Sequence, residues 1–239
     1  MTRQRHYVLV PGFWLGAWAW DDMLGLLTSS PAAVATALTL PGLEPTATAE
    51  ERAAVTLDDH IDAVVNAVLA VPPGEETVLV AHSGGGPLAY AASDRVPTAI
   101  SRIVYVDTGP IQDGATLRPD VDPDIGELPL PTWADLEADG NSLDGLDGER
   151  LATFAERAVP QPAGPARTPY RLTDPRRLTV PTTLVCTSFS AAQLPEWAAE
   201  GFGPAVEAGA LQNVEYVDLP TGHWPMWSRS DDLAAVITT

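Results

Sequence analysis

Residues 78–87 read Val78-Leu79-Val80-Ala81-His82-Ser83-Gly84-Gly85-Gly86-Pro87. The first three residues are apolar and predict a buried strand, and a helix is predicted from the glycines to about Asp94. A serine between strand and helix, with small residues around it, has the small-x-Ser-x-small pattern of a nucleophile elbow. Small neighbours let the strand and helix approach closely while a strained turn holds the serine hydroxyl clear of the sheet. Ser83 is therefore a candidate nucleophile, and a glycine-rich turn without chemistry is the alternative.

Strands and helices alternate along the chain on both sides of this turn. Apolar runs ended by Pro, Gly or polar residues predict further strands at 7–10, 34–40, 103–106, 183–186 and 214–219. Helical spacing of apolar residues predicts helices at 17–27, 57–69 and 231–237. Near-continuous apolar strands that alternate with helices are typical of a parallel sheet covered on both faces. We therefore predict an α/β fold with a mostly parallel sheet of about six strands, whose carboxyl ends carry the ligand site.

Residues 108–180 break this alternation. They are rich in proline and contain one clear predicted helix, from about Glu149 to Ala158. Between Asp113 and Glu149 one basic residue, Arg118, stands among many acidic ones. Long insertions in compact domains are commonly functional. We expect a single domain over residues 1–239 in which residues 108–180, called the insertion below, form a lid, and a disordered loop is the alternative.

The composition excludes several classes of function. The 239 residues carry a net charge of −19, from 32 acidic and 13 basic residues, and no lysine is present. Schiff-base, PLP and P-loop chemistry all need a lysine. Nucleic acid and anionic membranes repel so acidic a protein, so neither is expected as a partner. One cysteine, Cys186, allows no internal disulfide.

The sequence also favours a location and a source. No secretion signal and no membrane span are apparent, which favours a cytoplasmic protein. The Arg-, Ala-, Pro- and Gly-rich composition is typical of a bacterial genome of high GC content. The oligomeric state, monomer or homodimer, stays open.

Three blocks of sequence resemble the α/β-hydrolase family, and they span nearly the whole chain. The first is Val8 to Trp18 (VLVPGFWLGAW), which is similar to the strand and loop that carry the family's oxyanion hole. The second is the elbow, and the third is Gly222-His223-Trp224-Pro225, where the family has its catalytic histidine. The first block looks most like the branch of small esterases, methylesterases and hydroxynitrile lyases. Pro11 replaces that branch's usual histidine, and Ala81 replaces the elbow's usual first glycine.

His223 is the candidate general base. Of the four histidines, His6 opens the first strand, His60 lies in a predicted helix, and His82 is expected to project away from the elbow. His223 follows the last strand, at the carboxyl edge of the sheet. A histidine there can take the Ser83 proton and return it to the leaving group. Packing of His223 against the next residue is the alternative.

The acid of the triad is less constrained. The family most often has an Asp after the penultimate strand, but here that strand leads into residues 186–190 with no acid before Glu196. The family's alternative position follows the strand after the elbow, where Asp107 stands in the order serine, acid, histidine. Asp107 could instead cap the next turn. Glu196, Asp218 and a Ser-His dyad without an acid therefore remain alternatives.

The resemblance also implies an oxyanion hole and an apolar pocket. Gly84 would donate one backbone N–H and Phe13 the other, with Trp14 as the nearest substitute. The tryptophans near the predicted catalytic loops or in the insertion, Trp14, Trp133 and Trp224, are candidates for lining a substrate pocket. Core packing is the alternative for each of them.

The function implied by the resemblance is hydrolysis of a carboxylic ester or lactone of a small, mostly apolar molecule. It would proceed through an acyl-enzyme and would need no metal and no cofactor. The acidic insertion would favour neutral or cationic substrates over anionic ones, and a solvated surface that only keeps the protein soluble is the alternative. Because a fold does not fix a function, cofactor-free lyase, isomerase, cyclase or acyl-transfer chemistry is a second hypothesis. A non-catalytic ligand-binding protein is the third.

Overall fold

A computed structural model describes residues 3–239. The strands are β1 (Arg5–Val10), β2 (Ala33–Ala37), β3 (Glu76–His82), β4 (Arg102–Val106), β5 (Glu127–Leu128), β6 (Gln161–Pro162), β7 (Thr182–Cys186) and β8 (Val214–Asp218). Six of them form one sheet in the order β2-β1-β3-β4-β7-β8, and all neighbours in it are parallel. β5 and β6 form a separate antiparallel pair. The prediction of a mostly parallel sheet of about six strands is confirmed.

Helices cover both faces of the sheet. They are α1 (Asp21–Leu27), α2 (Ala49–Ala54), α3 (Leu57–Leu69), α4 (Gly85–Arg95), α5 (Trp133–Ala138), α6 (Gly148–Arg157), α7 (Ala163–Arg167), α8 (Leu194–Ala199), α9 (Gly203–Ala210), α10 (Pro225–Ser228) and α11 (Ser230–Thr238). Short 3₁₀ turns occur at Ala17–Trp20, Pro97–Ala99, Pro175–Thr179 and Ala191–Gln193. None of the helices in residues 3–239 has the length and apolar character of a membrane span.

Two hydrophobic cores lie on opposite faces of the sheet. Val8 and Leu79 belong to the core under α3 and α4, whereas Leu9 and Val78 belong to the core under α1 and α11. Successive residues of a strand point to opposite faces, so each central strand contributes to both cores. This explains why these strands read as continuous apolar runs.

Several element boundaries differ from the predicted ones. The predicted helix at 17–27 begins as a 3₁₀ turn before α1, and the predicted strand at 34–40 already ends at Ala37. The predicted helix near 149–158 corresponds to α6. The short helices α5, α7, α8 and α9 had no clear periodic pattern, because five to eight residues give too few turns for an apolar face to repeat.

The insertion leaves the sheet after β4 and returns at β7. Its helix α6 is held against α1 by two ion pairs, Arg150 with Asp22 at 2.6 Å and Arg157 with Asp21 at 3.2 Å. The Arg157 guanidinium also lies 4.7 Å from the centre of the Trp18 ring. These contacts fix the insertion beside the carboxyl end of the sheet.

Candidate active site

The turn between β3 and α4 holds Ser83 in a strained conformation. Its φ is 50°, in the left-handed region that costs a non-glycine residue about 1–3 kcal/mol. The Ser83 carbonyl accepts hydrogen bonds from the Gly86 N–H at 2.9 Å and from the Thr108 hydroxyl at 2.7 Å. A Cβ added at Gly12 would lie 2.7 Å from the Ser83 Cβ, so only glycine fits there. These contacts compensate for the strain and fix the serine at the end of β3.

Asp107 and His223 form a short hydrogen bond at the ends of β4 and β8. The His223 Nδ1–H donates to the Asp107 Oδ2 at 2.6 Å. The Asp107 Oδ1 accepts the backbone N–H groups of Thr187 and Ser188, each at 2.9 Å, and the Ser188 hydroxyl donates to Oδ2 at 2.5 Å. Burial works to raise the pKa of Asp107, but the bonds from His223 and Ser188 outweigh it and hold this pKa at about 2. The carboxylate is therefore ionised at neutral pH and can orient the imidazole.

The loop that carries His223 is held from two sides. From the insertion, the Ser142 carbonyl accepts the His223 N–H at 2.7 Å and the Asp144 carbonyl accepts the Gly222 N–H at 3.1 Å. From the core, the Thr187 hydroxyl donates to the Gly222 carbonyl at 2.9 Å. Both the insertion and the core therefore determine where the imidazole lies.

His82 lies beside His223, although the sequence favoured a side chain that projects away from the site. The two rings have centroids 4.8 Å apart, and the His82 Nε2–H donates to the His223 carbonyl at 2.7 Å. As the last residue of β3, His82 points to the same face as Val78 and Val80, which is the face where Trp224 packs. Burial lowers the pKa of His82 to about 3, so this side chain is neutral.

Two backbone N–H groups in the loops next to Ser83 are the candidates for an oxyanion hole. Within residues 3–239, neither the Phe13 nor the Gly84 N–H has a protein acceptor. The Trp14 N–H instead faces the Gln161 side-chain oxygen at 3.4 Å, and the indole N–H donates to the Leu128 carbonyl at 3.0 Å. A Cβ at Gly84 would lie 2.5 Å from the Phe13 ring, so the two loops are in close contact.

Ser83 and His223 open onto a common cavity of about 550 Å³, called the Ser83 cavity below. Its wall near the serine includes Phe13, Trp14 and Gly84. Its outer part is polar and is lined by Arg118, Asp120, Asp139 and Asn141. The candidate nucleophile, the candidate base and the two residues with unpaired N–H groups thus border one space large enough for a small molecule.

Comparison with known proteins identifies the family. The sequence profile of the alpha/beta hydrolase family matches residues 7–236. The chain belongs to this family. One similar protein is polyneuridine aldehyde esterase of Rauvolfia serpentina, which is 34% identical to this chain over a segment that covers 44% of this chain and 39% of that protein. Alpha-hydroxynitrile lyase of Arabidopsis thaliana is 32% identical over 45% of this chain and 41% of that protein. The matches thus cover about two fifths of the length of these relatives.

Solved structures of the family share the fold over nearly the whole chain. A methylesterase from Arabidopsis superposes with a TM-score of 0.76 at 18% identity, covering 97% of this chain and 96% of that chain. Polyneuridine aldehyde esterase superposes with a TM-score of 0.71 at 20% identity, covering 98% of both chains. At this identity the likeness concerns the fold alone.

The acidic residue beside His223 does not stand at the family's most common position. Glu196 is exposed on α8, and the Asp218 carboxylate accepts the Ala191 N–H at 2.7 Å. Neither lies within hydrogen-bond distance of His223 among the described residues, whereas Asp107 does. The loop after β7 supplies donors for Asp107, from residues 187 and 188, where the family most often has the acid itself. The sequence gives no sign of these backbone donors, because every residue except proline has an N–H and its presence marks no particular position.

Of the three candidate pocket tryptophans, Trp14 lines the Ser83 cavity. Trp133 and Trp224 instead pack against Phe154, with ring centroids 5.5 and 5.4 Å apart. Trp224 also meets the His223 ring edge-on at 4.9 Å. Both belong to the core on the α1 and α11 face, and neither is among the described residues that line the Ser83 cavity.

Proposed function

We propose that the protein is a serine hydrolase that cleaves a carboxylic ester or lactone of a small, mostly apolar molecule. The observation that carries this proposal is the 2.6 Å bond between His223 and Asp107 beside a strained serine on the same cavity. Relatives named as an esterase and as a putative methylesterase support hydrolysis of an ester. The partner is a small-molecule substrate.

In this mechanism the Ser83 Oγ attacks the carbonyl carbon while the His223 Nε2 takes its proton. The Phe13 and Gly84 N–H groups stabilise the oxyanion, and each such donor lowers the barrier by about 3 kcal/mol. Asp107 keeps the other ring nitrogen protonated and stabilises the imidazolium. His223 then protonates the departing alcohol and activates the water that releases the acid. The insertion, as a lid, covers this site.

A second candidate function is lyase chemistry without an acyl-enzyme. The relative named alpha-hydroxynitrile lyase favours it, because the match to that protein is as extensive as the match to the esterase. Ser83 and His223 would then act only as a proton-transfer pair. An acyl-enzyme separates the two functions, since hydrolysis requires one and lyase chemistry does not.

The test measures turnover of short to medium p-nitrophenyl esters by the wild-type protein and by Ser83→Ala, with mass spectrometry after a serine-directed fluorophosphonate. We expect turnover to be lost in the variant and the label to be on Ser83. Asp107→Asn should lower kcat by about 10³- to 10⁴-fold, because the imidazole would adopt the wrong tautomer.

Glu196→Gln is the matched control, because it removes a carboxylate at the rival position and should leave kcat unchanged. Turnover by Ser83→Ala, or a wild-type protein that takes no label, would refute the hydrolase. An unlabelled protein that still cleaves cyanohydrins would support the lyase.

A further inference from the structure

A second cavity, of about 650 Å³, lies beyond His223 and is called the apolar chamber below. Its outer wall is a row of aromatic rings from the β7 loop, α8 and the start of α9. Phe189 and Trp197 have centroids 5.3 Å apart, and Trp197 and Phe202 have centroids 5.8 Å apart. Leu184 and Ala205 form part of the inner wall.

The chamber joins the Ser83 cavity at His223. Both spaces border His223, Asp107, Thr108, Leu117, Asp139 and Asn141, but of the two only the Ser83 cavity borders Ser83 and the residues of the proposed oxyanion donors, Phe13 and Gly84. Among the described residues, those that line the chamber alone carry no charged side chain. The charged groups Arg118 and Asp120 border only the Ser83 cavity. Apart from the shared carboxylates of Asp107 and Asp139, the chamber side of the site is therefore uncharged, whereas the Ser83 side also carries Arg118 and Asp120.

The chemistry of ester cleavage assigns a substrate group to each side. In the tetrahedral intermediate the oxyanion faces the N–H donors, and the departing oxygen faces the histidine that protonates it. The alcohol part thus extends past His223, and the acyl part stays on the side of Ser83. A space that borders His223 but not the oxyanion donors lies on the alcohol side.

We propose that the apolar chamber binds the alcohol part of the ester, and that this alcohol is large, uncharged and apolar, such as an arylmethanol or a cyclic alkanol. The volume falls in the range of about 300–1,000 Å³ that is typical of sites for whole small molecules. A methyl group would leave most of the chamber empty. This inference rests on the proposed hydrolase function and specifies its substrate class.

The test uses esters with one constant acyl group and three alcohols, methyl, benzyl and 2-naphthylmethyl, whose oxygens are leaving groups of similar quality. The wild-type kcat/KM should rise from the methyl to the naphthylmethyl ester. Trp197→Ala should lower kcat/KM for the naphthylmethyl ester by about tenfold or more, and for the methyl ester by less than about twofold. The rate at which Trp197→Ala hydrolyses the acyl-enzyme should equal the wild-type rate, because the alcohol leaves before that step.

Two further variants keep the test decisive if Trp197→Ala folds poorly. Ala205→Phe fills the chamber and should exclude the naphthylmethyl ester while still cleaving the methyl ester. Tyr216→Ala removes an aromatic ring on β8 outside both cavities and should leave all three values unchanged. A wild-type preference for the methyl ester would overturn the inference, as would equal losses on every ester.

The failure of this inference differs from the failure of the proposed function. If fluorophosphonate labels Ser83 and esters turn over without a preference for large alcohols, only the chamber assignment is wrong. If Ser83 takes no label and no ester turns over, both fail.

Discussion

Backbone strain is concentrated at the residues of the candidate site. Among residues 3–239, three non-glycine residues have a positive φ, namely Trp14 at 63°, Ser83 at 50° and Asp107 at 48°. They follow β1, β3 and β4, which are adjacent in the sheet. Each conformation is unfavourable on its own and persists only where the surroundings fix it. The packing around the ends of these strands therefore holds Ser83 and Asp107 in conformations that would be unfavourable on their own.

His82 makes stability depend on pH. Its pKa is about 3 in the folded protein, because of burial, against an ordinary value of 6.5. Between these two pH values the unfolded chain binds a proton that the folded chain does not, so the free energy of unfolding falls as the pH falls. This residue alone contributes a slope of about 1.4 kcal/mol per pH unit over that window.

His82→Gln replaces the ring by a group that does not titrate and still offers an N–H donor. We expect a shallower loss of stability from pH 6.5 to pH 4 than in the wild type, measured by urea denaturation at several pH values. Parallel pH dependences for the two proteins would contradict this account.

At the scale of the elements, the insertion is bonded to two loops of the candidate site. It accepts the N–H groups of Gly222 and His223, as described above, and the Val159 N–H donates to the Trp14 carbonyl at 3.0 Å. The insertion is thus bonded to the loop after β1 and to the loop after β8. Its position and the catalytic geometry are coupled.

Gly222→Ala tests this coupling. A Cβ there would lie 2.5 Å from the Asp144 carbonyl oxygen and 2.6 Å from that of Ser142, so the His223 loop or the insertion must move. A displacement of about 1 Å can lower kcat by about 100-fold, and we expect a loss of that order in ester hydrolysis. The control is Gly25→Ala, on an exposed position of α1 with no atom within 4 Å of the added Cβ, which should keep full activity. Wild-type kcat in Gly222→Ala would show that the loop tolerates the shift.

The elements that the sequence predicted well are those with a local signature. The elbow around Ser83 and the strand that precedes it are recognisable because the turn requires small residues and the strand is buried on both faces. The sequence leaves the partner of His223 open between Asp107 and its alternatives, because a contact between residues 116 positions apart has no local pattern. The short helices α8 and α9 have too few turns for an apolar face to repeat, so the sequence does not predict them or the apolar chamber that they line.

At the scale of the whole molecule, the net charge of −19 surrounds the site with a negative potential. At the outer part of the Ser83 cavity, Arg118 is paired with Asp120 at 2.9 Å, while Asp139 adds a further negative charge. The protein should therefore attract cationic substrates more strongly than neutral ones of equal shape.

This prediction can be tested with two esters that differ only in a trimethylammonium or a tert-butyl group on the acyl part. At 0.01 M salt, where the Debye length is about 30 Å, we expect the cationic ester to have a several-fold higher kcat/KM. At 1 M salt the Debye length is about 3 Å, and the two values should converge. A ratio that does not change with salt would mean that the charge does not act on association.

The bonds from the insertion to the His223 loop come from the backbone carbonyls of Ser142 and Asp144. A carbonyl is present whatever the side chain, so substitutions along this segment can alter the polar wall of the Ser83 cavity without removing the support of the histidine. Under the proposed function, single substitutions in this segment can therefore change the substrate preference over evolutionary time while the position of His223 is retained. For engineering, this segment is a place to vary side chains freely and to avoid deletions.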